Sequence, residues 1–181
     1  MGNDDGSVDW YRPVRRALLP ITGIHVSRSL EKSIRRNEFE IRFDTAFENV
    51  VRSCIRQSDN WINEAIVRAY IQIQQEGWGH SSESWREGAL VGGVYGVCIG
   101  GCFCAESMFH KQSNASKVAL WALVEKCREL GFTLFDVQMM SPHLTSLGAF
   151  EVSDSDYDEQ FAQASKAMTP WDRCPYDLSI P

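Results

Sequence analysis

The stretch from Leu90 to Met140 limits the possible folds most tightly. It reads as two apolar strands, Leu90–Cys98 and Gly101–Phe109, meeting in a hairpin turn at Ile99-Gly-Gly101. An amphipathic helix opening at Asn114-Ala-Ser-Lys117 follows, then a third strand from Thr133 to Gln138. Three polar side chains stand in this apolar strand context: Glu106, Asp136 and Gln138. Strand side chains alternate faces, so Asp136 and Gln138 are expected to point the same way. A carboxylate and an amide on a core strand are expensive unless partnered, which makes these residues the first candidates for chemistry.

Ser27 is suited to cap a helix from Arg28 to about Arg36, after a short strand predicted over Ile24–Ser27. Arg28, Lys32, Arg35 and Arg36 fall on one face of that helix. Phe39–Phe43 alternates as a half-buried strand, and Asp44 is predicted to cap the helix that carries Phe47, Val50, Val51 and Cys54 inward. A further helix opens near Trp61-Ile62 and stops at Gly77; the alternating Gly79–Trp85 strand turns through Arg86-Glu-Gly88 into the strand at Leu90. Pro142 starts a short helix ended by Gly148, and Ser153 caps a last, acidic helix to about Lys166. Residues 1–9 are expected to be disordered, 10–166 to form one domain and 167–181 a tail.

With 181 residues, 44% of them hydrophobic, the chain can bury one ordinary core. No apolar run is long enough to cross a bilayer, and the acidic start Met1-Gly-Asn-Asp-Asp lacks the shape of a signal peptide, so a cytoplasmic location is expected. The six cysteines form no CxxC pair and read as buried free thiols, with no metal expected. The net charge of −6 argues against a protein coated in nucleic acid, yet the charge is uneven: basic between Arg12 and Arg42, acidic after Phe150. A basic face on an acidic protein still attracts phosphate, in a salt-dependent way. Gly92, Gly93 and Gly96 weaken a strand unless a bulge or a ligand comes close, and their spacing matches neither GxGxxG nor a P-loop. Hairpins preceded by helices and followed by helix and strand make a mixed α/β (α+β type) single domain.

Several segments together carry a family likeness. His80-Ser-Ser-Glu-Ser-Trp85, Leu90-Val-Gly-Gly-Val-Tyr-Gly-Val97, Glu106-Ser-Met-Phe109, Asn114-Ala-Ser-Lys117, Phe135-Asp-Val-Gln138 and His143-Leu-Thr-Ser-Leu-Gly-Ala149 resemble the leucyl/phenylalanyl-tRNA–protein transferases. Asp9-Trp-Tyr-Arg-Pro13, Ser27-Arg-Ser-Leu30 and Asn60-Trp-Ile62 extend the match, which runs from about Trp10 to Ser153. Each piece alone is weak; the ordered set is specific.

The resemblance implies a GNAT-like acyltransferase fold: a mixed, largely antiparallel sheet flanked by helices, without acetyl-CoA or another cofactor. It implies transfer of leucine or phenylalanine, less readily methionine, from Leu-tRNA or Phe-tRNA to the α-amino group of proteins beginning with Arg or Lys. Such products enter N-end-rule degradation; neither DNA nor a membrane is an expected partner. Position by position, Asp136 and Gln138 match the family's catalytic pair, and Glu106 the carboxylate that meets the acceptor's basic residue. Trp61, Met108 and Phe135 match walls of the amino-acid pocket, with Val94 and Leu123 at further pocket positions. Arg28, Lys32, Arg35 and Arg36 match the basic helix that holds tRNA. His80 and His143 read as hydrogen-bonded structural residues. Family members usually carry a small domain before the Trp-Tyr-x-Pro segment, whereas this chain starts almost there, and Arg12 replaces a small residue. The expectation is therefore a short form. Two other readings compete: a non-catalytic tRNA-binding or adaptor protein, and an acetyl-CoA N-acetyltransferase. The second is disfavoured because Phe109–Ala115 lacks the glycine-rich pyrophosphate loop.

Overall fold

A computed structural model describes residues 7, 9, 11–56, 61–167 and 171. In chain order its elements are β1 (Arg15–Leu18), α1 (Arg28–Arg35), β2 (Glu40–Phe43), α2 (Phe47–Ser53), α3 (Glu64–Gln75), β3 (Gly79–Arg86), β4 (Ala89–Ile99), β5 (Cys102–His110), α4 (Ala115–Glu129), β6 (Leu134–Gln138), α5 (Pro142–Thr145), β7 (Phe150–Ser153) and α6 (Asp154–Ala164). The predictions for residues 1–9 and 167–181 fall, apart from isolated positions, outside the described residues, as do Trp10, Asn60 and Cys174.

The strands form one seven-stranded sheet in the order β2-β3-β4-β5-β6-β1-β7. Neighbours are antiparallel except β5 and β6, which the α4 crossover makes parallel. The sheet is thus mixed and largely antiparallel, as the resemblance implies. The largest core cluster lies on the α4 face, where Val94, Phe103, Ala105, Phe135 and Val137 meet Val118, Leu120 and Leu123. Tyr95 and Phe109 face the other way, onto α2 and α3, and Leu18 and Leu134 meet Tyr157 of α6.

Local chemistry explains most element ends. Ser27 accepts from Leu30 N (3.3 Å), Asn63 from Ile66 N (3.0 Å) and Ser153 from Asp156 N (3.1 Å), three side-chain N-caps. Glu87 and Gly88, at φ 53° and 77°, turn β3 into β4 with the left-handed pair a two-residue hairpin demands. The strand glycine Gly92 serves packing rather than a ligand: a Cβ there would sit 2.6 Å from the Ala115 Cβ, where α4 begins.

Two readings are corrected, those of Ile24–Ser27 and Asp44, and two features are added. Ile24–Ser27 is not a strand; β1 lies earlier, at Arg15–Leu18, between β6 and β7. The short edge strand β7 follows the Pro142 turn unforeseen. Asp44 does not cap α2: its backbone is left-handed (φ 58°) and its carboxylate turns to Ser81 N at 2.7 Å and Trp171 Nε1 at 3.0 Å. Asn114 heads α4 without capping it; its amide crosses to Ser29 Oγ and Ser33 Oγ (both 3.0 Å), pinning α1 to the start of α4.

Candidate active site

The parallel β5/β6 ladder runs through Cys102↔Leu134 and Phe103↔Phe135 to Cys104↔Asp136, and there it stops. Both strands continue, β5 to His110 and β6 to Gln138, so they part beyond Asp136. Just past the split, β5 slips register against β4. Gly96 faces Ala105 and Tyr95 faces Ser107, which leaves Glu106 as the extra residue of a β-bulge. A bulge re-aims its side chain, and Glu106 bridges the split: Gln138 Nε2 donates to its Oε2 at 2.7 Å and to Ala105 O at 3.5 Å.

Burial pushes the Glu106 carboxyl above the usual glutamate range, while hydrogen bonds from Gln138 and Tyr70 pull in the opposite direction. Tyr70, on α3, is held edge-on to Tyr95, with ring centroids 5.0 Å apart. Gln138 ends β6 with a left-handed backbone (φ 65°), so the regular alternation of the strand stops at this residue.

Asp136 is fully buried and lies under this pair. Its Oδ1 accepts from Gln138 N at 2.7 Å; its Oδ2 accepts from Tyr157 Oη at 2.8 Å and from Arg16 Nη2. Those three donors satisfy the carboxylate within the protein.

Glu106 opens onto a cavity of about 530 Å³. Trp61, Val94, Met108 and Leu144 give it apolar walls; Arg56, Ser116, Ser141, His110 and His143 add polar ones. Among the proposed pocket residues, Trp61, Val94 and Met108 therefore meet Glu106 on one cavity. Leu123 and Phe135 do not line it; both are buried in the main core, where Phe135 stacks on Phe103 at 5.2 Å between centroids. Arg28, Lys32, Arg35 and Arg36 lie together on the exposed face of α1, opposite buried Leu30, and border a shallow groove of about 380 Å³.

The two histidines differ. His80 is structural, with Nδ1 2.9 Å from Asp44 Oδ2 and its ring 4.5 Å from that of Trp171. His143 instead borders the cavity; its buried Nε2, like that of His80, has no hydrogen-bond partner among the described residues. Burial, then the charges of Lys117 and His110, lower its pKa and favour the neutral ring. Tyr70, Arg16 and Tyr157 were missed by sequence reasoning, and neither pattern nor spacing marks them: each reaches the site from a distant element.

The profile of the family described as leucyl/phenylalanyl-tRNA protein transferase matches residues 18–162. The chain belongs to the leucyl/phenylalanyl-tRNA–protein transferase family. A protein so named from Herpetosiphon aurantiacus is 44% identical over 163 residues, covering 90% of this chain and 85% of the relative. One from Roseobacter denitrificans is 45% identical over 161 residues, covering 89% and 77%. Among solved structures, L-PGS from Bacillus licheniformis superposes with a TM-score of 0.49 at 14% identity, over 89% of this chain and 55% of that one, too distant to carry an argument. The transferase-family match spans the end of β1, the bulge, the β5/β6 split and most of α6, so it includes every element that builds the site except the start of β1. Among the described residues no His, Cys and acidic side chains cluster in a way that could hold a metal ion, and no helix is long and apolar enough to cross a membrane.

Proposed function

We propose that this transferase-family chain moves leucine or phenylalanine, and less readily methionine, from aminoacyl-tRNA to the α-amino group of proteins that begin with Arg or Lys. The observation that carries the reading is that Glu106, which accepts from Gln138 Nε2 at 2.7 Å, lines a cavity that Trp61, Val94 and Met108 make apolar. An apolar pocket accepts a leucine or phenylalanine side chain, and a carboxylate beside it attracts a guanidinium or ammonium group.

The reaction is aminolysis of an ester. The amine must be neutral to attack; a C–N bond forms as the ester C–O bond breaks, and the amine proton passes to the departing ribose oxygen. The ester is already activated, so positioning carries much of the rate and no cofactor is needed. Because Nε2 of Gln138 is committed to Glu106, its Oε1 is left to accept an N–H of the incoming amine. Asp136 holds Gln138 in place by accepting from its backbone N–H. Glu106 selects a basic acceptor, and the exposed α1 cations meet tRNA phosphates. Leucine or phenylalanine joined to a basic N-terminal residue would mark the product for N-end-rule degradation. The co-substrate belongs to the cytoplasm, so the reading locates the enzyme there.

The test is transfer of label from Leu-tRNA or Phe-tRNA to two peptides, one beginning with Arg and one with Glu. The reading expects label in the first and little in the second. Salt-sensitive tRNA binding with no transfer to either peptide would favour a binding protein instead.

A further inference from the structure

Gln138 is held unusually. The β5/β6 ladder ends at Asp136, so its register pairs no β5 residue with Gln138, and it is the Gln138 side chain that reaches β5, at Ala105 O (3.5 Å) and Glu106 (2.7 Å). On the other side it pairs with Ala17 of β1, where the β1/β6 register shifts between Ala17 and Leu18. Its backbone is left-handed, a conformation that glutamine adopts only when its surroundings enforce it. The Asp136 carboxylate supplies that enforcement through Gln138 N at 2.7 Å, which leaves open what fixes Asp136.

Two residues far apart in sequence do so. Arg16 of β1 and Tyr157 of α6 both donate to the same oxygen of Asp136. The Arg16 guanidinium also lies over the Tyr157 ring, 4.5 Å from its centroid, and Nη2 is 3.3 Å from the Tyr157 hydroxyl. Burial first, then the adjacent Asp136, raise the phenol pKa and keep the hydroxyl a donor. Burial works against the Arg16 charge, yet the Asp136 carboxylate outweighs it and the guanidinium pKa is raised. Arg12 fastens the start of α6 as well, through Asp154 at 2.9 Å and Asp158 at 2.7 Å. A buried ion pair is a poor way to gain stability, because apolar residues of similar volume often serve as well. Here the Arg16 Nε is even buried without a partner among the described residues. Stability therefore does not account for this arrangement, and orientation of Gln138 is the role its geometry offers.

We propose that Arg16 and Tyr157 are positioning residues of the transfer reaction, clamping Asp136 from β1 and α6 so that it holds the Gln138 amide against Glu106. This rests on the aminoacyl-transfer reading above. The clamp makes α6, the acidic helix farthest along the described chain, part of the reaction machinery.

The test compares wild type with Tyr157→Phe, Arg16→Met, Arg16→Lys, Asp136→Asn and the pair Asp136→Asn/Tyr157→Phe. Measured are kcat and KM for an Arg-peptide, thermal melting, and the amide NMR signals of Gln138. Tyr157→Phe keeps the fold and is expected to lower kcat about tenfold with KM nearly unchanged, the pattern of a lost transition-state interaction. Arg16→Met lowers kcat further, and Arg16→Lys recovers part of it. The double variant is expected to be no slower than Asp136→Asn alone, because residues that act as one unit are not additive. The Gln138 signals shift in Tyr157→Phe. Wild-type kcat in both Tyr157→Phe and Arg16→Met, or additive losses in the double variant, overturns the proposal. Unmoved Gln138 signals do so as well. A wild-type chain that transfers nothing defeats the transfer reading itself and this role with it, and the NMR signals then show separately whether the clamp exists.

Discussion

Two glutamates sit in the same sheet, Glu83 fully buried on β3 and Glu106 half-buried on β5, and do opposite things. Glu83, on β3, is fully buried with four donors around it: Ala46 N at 2.7 Å, Ser81 Oγ and Trp85 Nε1 at 3.0 Å, and Thr45 Oγ1. Its carboxylate ties the entry of α2 to the sheet. Glu106, on the β5 bulge, has Gln138 and Tyr70 as partners, a carboxyl raised by burial, and a cavity beside it. A charge wholly satisfied by its own protein is a structural device. A charge incompletely satisfied beside a cavity is held ready for something that arrives. A charge in an apolar strand therefore says little about function by itself; the number of donors and the presence of open space decide.

The sharpest way to break this contrast is to remove each group in turn. Gln138→Ala is expected to cut transfer by about 10²–10³-fold, the usual effect of losing one fixed hydrogen-bonding group at a reacting centre, with the melting temperature nearly unchanged. Glu83→Ala reverses the pattern. It strands buried donors, so stability should fall by at least about 3 kcal/mol and melting by about 10 °C, read by calorimetry, while the remaining folded protein keeps its rate constant.

Glu106→Gln separates selection from stability. Transfer to an Arg-peptide should drop by about tenfold or more, because the charge that attracts the guanidinium is gone. The sign for stability is the unusual part. A glutamate whose folded pKa is raised contributes stability that is present below its unfolded pKa and lost as pH rises through the folded value. The variant should therefore be at least as stable as wild type at neutral pH, and its stability should vary less between acid and neutral pH, as urea melts at several pH values would show. Glu83→Gln puts an NH2 group among four donors and should lower stability rather than raise it. The smallest effect is expected far from both glutamates: Lys32→Ala on α1 should lower tRNA affinity severalfold and reduce the slope of log affinity against log salt by about 1, with no change in melting.

The contrast also explains what was legible in the sequence. Hairpins β3–β4–β5 could be read because Glu87-Gly88 and Gly100-Gly101 punctuate alternating runs, and the caps Ser27 and Ser153 announce their helices. Strand β1 was not legible: Arg15-Arg-Ala-Leu18 has a polar first half, and it is a strand only because β6 and β7 lie on either side. Asp44 looked like a cap, but the real acceptor at the start of α2 is Glu83, 37 residues away from Ala46. Glu106 stood out as a charge in an apolar strand; that it occupies a bulge depends on a register slip against β4, which no local pattern encodes. Likewise Asp136 and Gln138 could be paired by their spacing, whereas Arg16 and Tyr157 reach Asp136 across 120 and 21 residues. Short-range chemistry marked the candidates, and the long-range pairing that distinguishes a satisfied charge from a waiting one came only with the fold.

The most direct measurement is a single-turnover transfer assay with Leu-tRNA and an Arg-peptide, run on wild type and Gln138→Ala at matched tRNA occupancy. The account predicts rapid transfer by wild type and a loss of at least about 10²-fold in the variant, with tRNA affinity intact. Equal rates in the two proteins would contradict it and move the chemistry away from the β5/β6 split.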